Sequence, residues 1–328
     1  MKILITGGFG FIGSNLMKSY LHDGHEVIVI DDLSTASKNF VSKVCAEECF
    51  NLKRLKFVKA DLKSENISHH LEESDIVYHL ASSVGVKHVD ENPKAAIRNS
   101  FDINNNLFWQ FEDCNSRVLF ASTSEVYGDT SSAKETDVLK IGSPDTLRWG
   151  YACGKLMSEF LLRTYEFPST VVRLFNVTGS GQIGTHGMVL PTFIERAKQN
   201  EDIIIYGDGL QQRTFCDIRD AVDMLKILTD GDEHVDEIYN IGSPGNNITI
   251  KNLAEEVVAT VGSDSNLLYR DYKEDFSNDH GEIYTRSPNT DKMDQYYKAK
   301  YSVEDIIASM AAEPTYPSRV LEGHLGVM

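Results

Sequence analysis

The chain has 328 residues, of which 41% are hydrophobic and 25% are charged, and its formal net charge at pH 7 is −17. This length fits one large domain or two domains that share a core. A chain this acidic is not expected to bind nucleic acid or an anionic membrane through bulk electrostatics. No apolar run reaches the roughly 18 residues that a transmembrane helix needs.

The five cysteines are scattered and odd in number, which favours free thiols in a reducing compartment. Only Cys45 and Cys49 are close to each other, and no second pair of ligands lies nearby, so no metal site is expected. The apolar part of the N-terminus is too short for a signal peptide and runs directly into a glycine-rich turn. We therefore predict a cytoplasmic protein.

A strand over 2–6 and a helix over 14–21 are predicted to flank this glycine-rich turn, which has the spacing Gly-x-x-Gly-x-x-Gly. Glycines allow a tight turn, a close approach of the backbone to a pyrophosphate, and close packing of helix on strand. The helix N-terminus then faces the phosphates. The turn is therefore predicted to bind a dinucleotide cofactor through Gly7, Gly10, Phe11, Ile12 and Gly13.

The next predicted strand, 27–32, ends in two acidic residues. Asp31 can accept hydrogen bonds from the adenosine ribose hydroxyls and would repel a 2′-phosphate, which favours NAD over NADP. A simple turn cap is the alternative for Asp31, and Asp32 is the weaker candidate for cofactor binding.

The third predicted strand, 55–59, is followed by Asp61 and Leu62. Asp61 either reaches the adenine of the cofactor or caps a helix that begins at Ser64, and the residues do not separate these alternatives. Both Asp61 and Leu62 are kept as candidate cofactor contacts.

The fourth predicted strand, 76–81, leads into the segment expected to pass over the cofactor, with the contacts Leu80, Ala81 and Ser82. His79 lies within the apolar run, so a buried structural histidine is favoured over a catalytic one. Lys87 follows near the presumed site. It is a candidate substrate contact, although a solvated loop charge is the favoured alternative.

A long helix is predicted over 94–112, and a second helix begins at Tyr151. Both helices carry many apolar residues. These residues supply either an intramolecular core or the seam of a dimer.

The predicted strand 118–121 is followed by Thr123, Ser124 and Glu125, at the end of the strand where open α/β sheets bind their ligands. Tyr151 and Lys155 are four residues apart on a helix and therefore point the same way. A phenol and an ammonium group can thus act on one substrate. A structural hydrogen bond at the strand end is the alternative role for Glu125. The polar, turn-rich segment 129–150 is predicted to be a loop that shapes one wall of the site.

Beyond a strand over 170–175, which ends at Asn176, the chain becomes irregular and rich in glycine. Further elements are predicted as helices over 188–199, 217–228 and 249–261 and strands over 203–206 and 238–242. Arg286 is placed in a late loop, and no structure is predicted from about 301. The fold class is α/β, with a doubly wound parallel Rossmann sheet over 1–175 and a smaller α/β domain over 176–328. The chain is expected to cross between the two around 203–242.

Together these residues resemble a known family. The extended short-chain dehydrogenase/reductases share the glycine pattern, Asp31, Thr123 and the Tyr151-x-x-x-Lys155 pair. The nucleotide-sugar epimerase and dehydratase branch has similar segments at 173–177, 206–209 and 212–213. Within it, UDP-glucuronate decarboxylases are most similar at three places, which are Thr123-Ser124-Glu125, Arg148-Trp149 and Arg286.

The resemblance implies NAD as cofactor, a UDP-linked nucleotide-sugar substrate, and a homodimer. It also implies removal of hydride from C4 of a hexose, with Tyr151 as the base, Thr123 positioning the hydroxyl, and Lys155 lowering the pKa of the phenol. Glu125 and Arg286 would serve decarboxylation, and Ser124 belongs to the same catalytic segment. The implied substrate contacts are Lys87, Asn176, Val189, Tyr206, Arg213 and Arg286.

Several alternatives stay open at this point. The segment 84–87 looks more like 4-epimerases, and residues 100–104 depart from the usual pattern of the branch. Nucleotide-sugar 4,6-dehydratases are a third option, although those acting on dTDP-glucose usually have Asp where this chain has Ser124. Arg213 could instead form a surface salt bridge. Outside the branch, the rivals are a non-catalytic NAD-binding regulator and an ordinary alcohol dehydrogenase that exchanges NADH with solvent.

Overall fold

The computed structural model describes residues 1–34, 52–82, 93–112, 114–147, 149–182, 184, 188–271 and 283–313. At its centre is a seven-stranded sheet in which every pairing is parallel. From one edge to the other the strands are β12 (Ile238–Ile241), β7 (Ser169–Leu174), β5 (Arg117–Thr123), β4 (Ile76–His79), β1 (Lys2–Thr6), β2 (Glu26–Asp31) and β3 (Leu55–Lys59). The predicted doubly wound α/β class is confirmed.

The inner strands are apolar runs because helices cover both faces of a parallel sheet. In β1, Ile3 and Ile5 point into one core cluster and Leu4 points into another. All three are fully buried.

Eight helices are present in the described part of the chain. They are α1 (Phe11–His22), α2 (Ser68–Glu72), α3 (Pro93–Phe108), α4 (Trp149–Leu162), α5 (Val189–Lys198), α6 (Ile218–Ile227), α7 (Ile250–Val261) and α8 (Val303–Ala311). Helices α1 and α6 supply side chains to one core cluster of the central sheet. Helices α3 and α4 supply the cluster on the other face.

A second sheet is built from four short strands in the order β13 (Asn247–Thr249), β10 (Gln212–Thr214), β15 (Thr285–Pro288) and β6 (Thr130–Ala133). Two strand pairs complete the set, β8 (Val177–Thr178) with β11 (Cys216–Asp217) and β9 (Ile203–Tyr206) with β14 (Leu267–Arg270). Helices α5, α7 and α8 share a separate apolar core. Strand β12 nevertheless pairs with β7, so the chain returns to the central sheet.

Four local predictions were wrong. No helix begins at Ser64, because residues 62–64 form a turn and α2 begins only at Ser68. The segment predicted as a loop over 129–150 contains β6 and the start of α4. The predicted strand 76–81 ends at His79.

The fourth wrong prediction is the late loop at Arg286, which is a residue of β15. Near the C-terminus, where nothing was predicted, helix α8 begins at a capping box formed by Ser302 and Asp305. Short strands such as β6 and β15 form through pairing with distant partners, so local periodicity does not reveal them.

Candidate active site

The glycine-rich turn joins β1 to α1 at the carboxyl edge of the central sheet. A Cβ atom on Gly13 would lie 2.3 Å from the carbonyl oxygen of Gly7, so any larger residue would force the turn open. Gly7 has φ +66°, a backbone conformation that favours glycine. Gly10 caps α1 without any side-chain hydrogen bond, and the first turn, which begins with Phe11 and Ile12, contains no acidic residue.

Asp31 ends β2 beside this turn and is largely buried. Its two carboxylate oxygens accept hydrogen bonds from the backbone N–H of Phe9, at 2.9 Å, and of Leu33, at 2.8 Å. Burial raises the pKa of Asp31, whereas these two hydrogen bonds lower it. A carboxylate oxygen can accept more than one hydrogen bond, so both oxygens retain capacity for ribose hydroxyls.

The other acidic candidates are engaged in local turns. Asp32 accepts a hydrogen bond from Ser34 N at 2.9 Å. Asp61 accepts one from Lys63 N at 3.0 Å and pairs with the Lys63 ammonium at 3.3 Å. Leu62 is buried in the core beside α3. Asp61 therefore organises a turn, and its contact with adenine stays a prediction.

The segment after β4 faces the glycine-rich turn. A Cβ atom on Gly7 would lie 2.9 Å from the backbone of Ala81, and Leu80 N donates to Thr6 O at 3.3 Å. The buried Ser82 hydroxyl has no hydrogen-bond partner within the described residues. Lys87 and Arg148 lie outside the residues that the structure describes.

His79 is a structural histidine, as predicted. It is fully buried, and its two ring nitrogens lie 2.8 Å from Thr6 Oγ1 and 2.7 Å from Asn104 Oδ1. Burial, together with the neighbouring Lys155 charge, lowers the pKa of His79 to about 3. The ring is therefore neutral and fixed in place.

The predicted catalytic segment begins at the last residue of β5. Thr123 is 8% exposed, and its side chain accepts a hydrogen bond from Glu125 N at 3.3 Å. This bond starts a short 3-10 turn over Ser124–Tyr127, in which Ser124 is buried. The turn brings Thr123 and Glu125 to the same edge of the sheet.

Tyr151 lies in the first turn of α4, half-buried beside this segment. Burial raises the pKa of its phenol, and the nearby Glu125 carboxylate raises it further. The Ser82 and Thr123 hydroxyls act in the opposite direction. The Ser82 hydroxyl does not form a well-aligned hydrogen bond with the phenol. It therefore acts on the phenol through a longer contact. The structure thus brings Tyr151 and Thr123 together as predicted.

Lys155 lies one helical turn further along α4 and is 2% exposed. Its ammonium donates to Ala121 O at 2.8 Å and lies 4.9 Å from the centre of the Phe120 ring. Burial lowers the pKa of Lys155 to about 7, although the Glu159 carboxylate partly opposes this shift. The side chain is thus held against the strand that leads to Thr123.

Arg286 faces Glu125 from β15. Its Nη1 lies 3.1 Å from Glu125 Oε1, and its Nη2 donates to Asn176 Oδ1 at 3.1 Å. The guanidinium is buried, yet neither Nη1 nor Nε has a well-aligned hydrogen bond within the described residues. Nη1 thus has only the poorly aligned Glu125 carboxylate, and Nε has no acceptor among the described residues, so this guanidinium is suited to receive a further anionic oxygen.

Two other predicted substrate contacts lie beside Arg286. Arg213 is its register partner on β10, so the two side chains share one face of the sheet. The Arg213 guanidinium donates to Gln212 O at 2.7 Å. Asn176 has φ +36°, and its amide also donates to Thr214 O at 2.9 Å.

Val189 and Tyr206 are placed elsewhere in the C-terminal part. Val189 begins α5 and packs against the core shared by α5, α7 and α8. Tyr206 ends β9, where it is the register partner of Arg270. The structure does not join these two residues to Glu125 or Arg286, so their contact with substrate stays a prediction.

Sequence reasoning missed three buried polar residues under the site, Tyr127, Glu159 and Arg173. Arg173 and Glu159 form an ion pair at 2.7 Å, and both are almost fully buried. An arginine inside an otherwise apolar strand, and a glutamate four residues after Lys155, were the available signals.

The residues present fit a dinucleotide cofactor. The turn at Gly7, Gly10 and Gly13 leaves a cradle that a Cβ atom would fill, and α1 presents an N-terminus without a side-chain cap. Backbone N–H groups at such a helix start bind phosphate. Asp31 and the buried Lys155 remain the predicted contacts for the ribose hydroxyls of such a cofactor. Within the described ranges, no helix has the length and apolar character needed to cross a membrane.

Comparison with known proteins agrees with this site. Residues 3–242 match the NAD dependent epimerase/dehydratase family. One relative, a UDP-N-acetyl-alpha-D-glucosaminuronate decarboxylase from Bacillus cytotoxicus, is 32% identical over 89% of this chain and 90% of its own length. The UDP-glucuronic acid decarboxylase 2 of Arabidopsis thaliana is 30% identical over 84% of this chain and 60% of its own length.

Solved structures show the same fold. Pal from Bacillus thuringiensis has a TM-score of 0.82 and 26% identity, with 95% of this chain and 98% of that chain covered. UDP-glucuronic acid 4-epimerase from Bacillus cereus, in complex with UDP-glucuronic acid and NAD, also has a TM-score of 0.82, at 22% identity and the same two coverages.

The chain belongs to the NAD dependent epimerase/dehydratase family. The predicted family, the NAD cofactor and the enzyme class are therefore confirmed. Membership defines an NAD-dependent enzyme of the nucleotide-sugar epimerase and decarboxylase class and leaves the particular reaction to the chemistry of the site.

Proposed function

We propose that the protein decarboxylates a UDP-linked hexuronate through a 4-keto intermediate. The observation that carries the proposal is the buried Arg286 guanidinium, which faces Glu125 with two N–H donors that lack well-aligned acceptors. A sugar carboxylate supplies the anionic oxygens that such a site needs. Relatives at 30–32% identity are named as decarboxylases of hexuronates, which supports the same reaction.

The first half of the reaction removes a hydride from C4 of the sugar and a proton from the C4 hydroxyl. Tyr151 takes the proton of the C4 hydroxyl, and Thr123 holds the same oxygen by a hydrogen bond. The ammonium of Lys155 stabilises the phenolate of Tyr151 and thereby offsets the burial that raises its pKa. NAD⁺, which the turn at Gly7, Gly10 and Gly13 and the Asp31 carboxylate would hold, would supply reversible hydride acceptance at C4.

The second half acts at C5. A C4 ketone makes the C5 carboxylate part of a β-keto acid, so the bond from C5 to the carboxyl carbon breaks readily and CO₂ leaves. The electron pair of that bond passes into an enolate whose negative charge rests on the C4 oxygen. Glu125, or a water that it orients, then delivers a proton to C5. Arg286 holds the carboxylate before it leaves.

The diphosphate of the substrate needs cations in a protein whose net charge is −17. Arg213 shares a sheet face with Arg286, and Asn176 contacts Arg286 directly. We assign Arg213 and Asn176 to the phosphate and sugar oxygens. Lys87, Val189 and Tyr206 are kept as further substrate contacts.

The test is incubation of the purified protein with UDP-glucuronate and, separately, with UDP-N-acetylglucosaminuronate, without added cofactor. Mass spectrometry and proton NMR should show loss of CO₂ and formation of a UDP-pentose or its N-acetylamino counterpart. Glu125→Gln should lower the rate of CO₂ release by about a hundredfold or more, since general acid–base groups contribute about that much. Cofactor binding should be unchanged.

Arg286→Met should lower CO₂ release by about a hundredfold as well, because the carboxylate loses its cation. The matched control is Arg117→Met. Arg117 begins β5 at the opposite end of the sheet, where it pairs with Asp232 at 2.5 Å. An Arg286 variant that releases CO₂ as fast as the Arg117 variant would contradict the assignment.

A second candidate function is 4-epimerisation, which the structural likeness to UDP-glucuronic acid 4-epimerase supports. In that case the 4-keto sugar rotates in the site and receives hydride on its opposite face. Glu125 then has no special role. A product of unchanged mass in the same incubation would identify this reaction.

We also propose a homodimer and a cytoplasmic location. Phe160 is 65% exposed and Met157 is 51% exposed on α4, which packs against α3. Large apolar side chains this exposed on one helix fit a surface that a second copy covers.

A further inference from the structure

A buried polar network lies beneath the site and begins at the catalytic helix. Arg173 of β7 is 3% exposed, and its Nη2 and Nε donate to the two carboxylate oxygens of Glu159 at 2.7 and 3.2 Å. Ser122, next to Thr123, also donates to this carboxylate. Glu159 follows Lys155 by one turn of α4. The ion pair therefore fixes α4 against the ends of β5 and β7.

The same guanidinium contacts the turn that carries Glu125. Its Nη1 donates to the Tyr127 hydroxyl at 2.7 Å, and its central carbon lies 4.8 Å from the centre of the Tyr127 ring. Tyr127 closes the 3-10 turn two residues after Glu125. Burial raises the pKa of Tyr127 to about 12, so its hydroxyl keeps its proton. That proton is donated to Asn240 Oδ1 at 2.8 Å.

Asn240 extends the network to the strands beside Arg286. Its side-chain amide donates to the carbonyl oxygens of Ala133, at 2.9 Å, and Asn289, at 3.1 Å. Ala133 is the register partner of Pro288, two residues after Arg286. One chain of hydrogen bonds thus runs from the Lys155 helix, past the Glu125 turn, to the strand that holds Arg286.

Stability is a poor explanation for such a network. A buried ion pair costs desolvation, and well-packed apolar residues of similar volume often replace it without loss of stability. What apolar residues cannot reproduce is the fixed direction of each hydrogen bond. Both halves of the proposed reaction need groups held at fixed positions relative to one sugar, which is the property that a directional network provides.

We propose that Arg173 and Tyr127 are positioning residues that hold the Tyr151–Lys155 helix and the Glu125–Arg286 pair in one geometry, so that the C5 step follows the C4 step before the ketone escapes. This inference rests on the proposed decarboxylation. Neither residue touches the reacting atoms. Both act through the groups that do.

The first test is Tyr127→Phe, which keeps the ring stacked on Phe175 but removes the hydroxyl that joins Arg173 to Asn240. The measured quantity is the ratio of released 4-keto sugar nucleotide to final UDP-pentose, determined by mass spectrometry. We expect this ratio to rise about tenfold, since sub-ångström misplacement of a catalytic group can cost that much. A structural role alone would lower the amount of active protein without changing the ratio.

The matched control is Tyr78→Phe. Tyr78 is also fully buried on a central strand, and its hydroxyl lies 2.7 Å from Thr229 Oγ1 and 2.5 Å from Tyr20 Oη. It should lose stability in the same way while its product ratio stays at the wild-type value. Equal ratios in the Tyr127 and Tyr78 variants would overturn the proposal.

A second variant removes the ion pair without leaving a buried charge. Arg173→Met combined with Glu159→Met should remain folded, because both partners become apolar. We expect thermal stability within a few degrees of wild type together with an increased release of 4-keto product. Unchanged stability with an unchanged product ratio would show that the network has no positioning role.

The wild-type protein in the same assay separates this inference from the proposed function. Absence of CO₂ release by wild type refutes decarboxylation and the inference that rests on it. CO₂ release by wild type with an unchanged product ratio in both variants refutes the positioning role alone.

Discussion

Lys155 carries its ammonium group in a site that barely admits solvent, with a pKa lowered to about 7 by burial. In the unfolded chain the same group has a pKa near 10.5. The folded state therefore carries the full cost of a buried ammonium below about pH 7, and this cost is lost as the pH rises toward 10.5. The buried charge thus destabilises the fold, and the proposed chemistry needs that charge beside Tyr151.

Lys155→Met should therefore stabilise the folded protein relative to wild type, most strongly at neutral pH and below. The difference in unfolding free energy should shrink by about 1–3 kcal/mol between about pH 7 and pH 9, measured by denaturant unfolding. Lys2→Met is the control. The pKa of Lys2 is raised by its hydrogen bond to Glu73, so its contribution should be flat over this range. A parallel response of the two variants would contradict the low pKa of Lys155.

His79 predicts an acid sensitivity of the same origin, because burial lowers the pKa of a basic group in both cases. Its folded pKa of about 3 lies below the ordinary value of 6.5, so the unfolded chain binds the extra proton first as the pH falls. Stability should decrease between about pH 6.5 and pH 4, and His79→Gln should lose less stability than wild type over that interval. NMR provides a direct check, because the ring signals of folded His79 should not shift between about pH 7 and pH 5.

Residue roles were predictable where neighbours in sequence are neighbours in space. Tyr151 and Lys155 lie on one turn of a helix, and Thr123 precedes Glu125 in one turn, so spacing alone brought each pair together. The contact between Glu125 and Arg286 was not visible in the residues, because it depends on β15 pairing with β6. The resemblance to decarboxylases suggested both residues, but their contact appears only in the folded chain.

At the scale of elements, the turn between β1 and α1 depends on the absence of a side chain at Gly13. A Cβ atom there would meet Gly7 O at 2.3 Å, and both contacting groups are backbone, which cannot move aside cheaply.

Gly13→Ala should therefore lower the affinity for NAD by about tenfold or more and destabilise the fold by roughly 1–3 kcal/mol, in the range of overpacking substitutions. Calorimetry and thermal unfolding measure the two effects. Gly245→Ala is the matched control, since a Cβ atom at that position meets nothing within 4 Å. Equal behaviour of the two variants would show that the turn can relax.

Elements were predicted well where their pattern is local. The strand β1, the helix α7 after its Thr249 cap, and α6 after its Asp217 cap were placed within a residue or two. Strands β6 and β15 were missed because each is short and polar and forms only through its partner strand. A three- or four-residue strand carries too few side chains to show a period.

At the scale of the whole molecule, the proposed homodimer would cover α3 and α4. The exposed apolar side chains of α4, Met157 and Phe160, are expected to be buried in an oligomer, because they cost free energy in water.

Phe160→Glu should convert the protein to a monomer in light scattering, since a carboxylate would then have to be buried in the seam. Val138→Glu is the matched control. Val138 is an apolar residue that is 82% exposed but lies on the loop after β6 rather than on α3 or α4. A Phe160 variant that keeps the mass of wild type would refute the proposed seam.

The sequence by itself determined the class of fold and the kind of cofactor. Buried parallel strands need continuous apolar runs, and a phosphate-binding turn needs glycines at fixed spacing. Both features can therefore be recognised from short stretches of sequence. The candidate catalytic pair, Tyr151 and Lys155, is likewise defined by residues four apart on one helix.

Only the tertiary structure decided which charges meet. Arg286 came to face Glu125, Arg213 came to lie beside Arg286, and Arg173 came to join Glu159 to Tyr127 through strand pairings between distant segments. The physical reason is that a buried charge is stable only when partner groups compensate for its lost hydration. Periodicity shows which face of an element is buried, but not which distant residue lies opposite it.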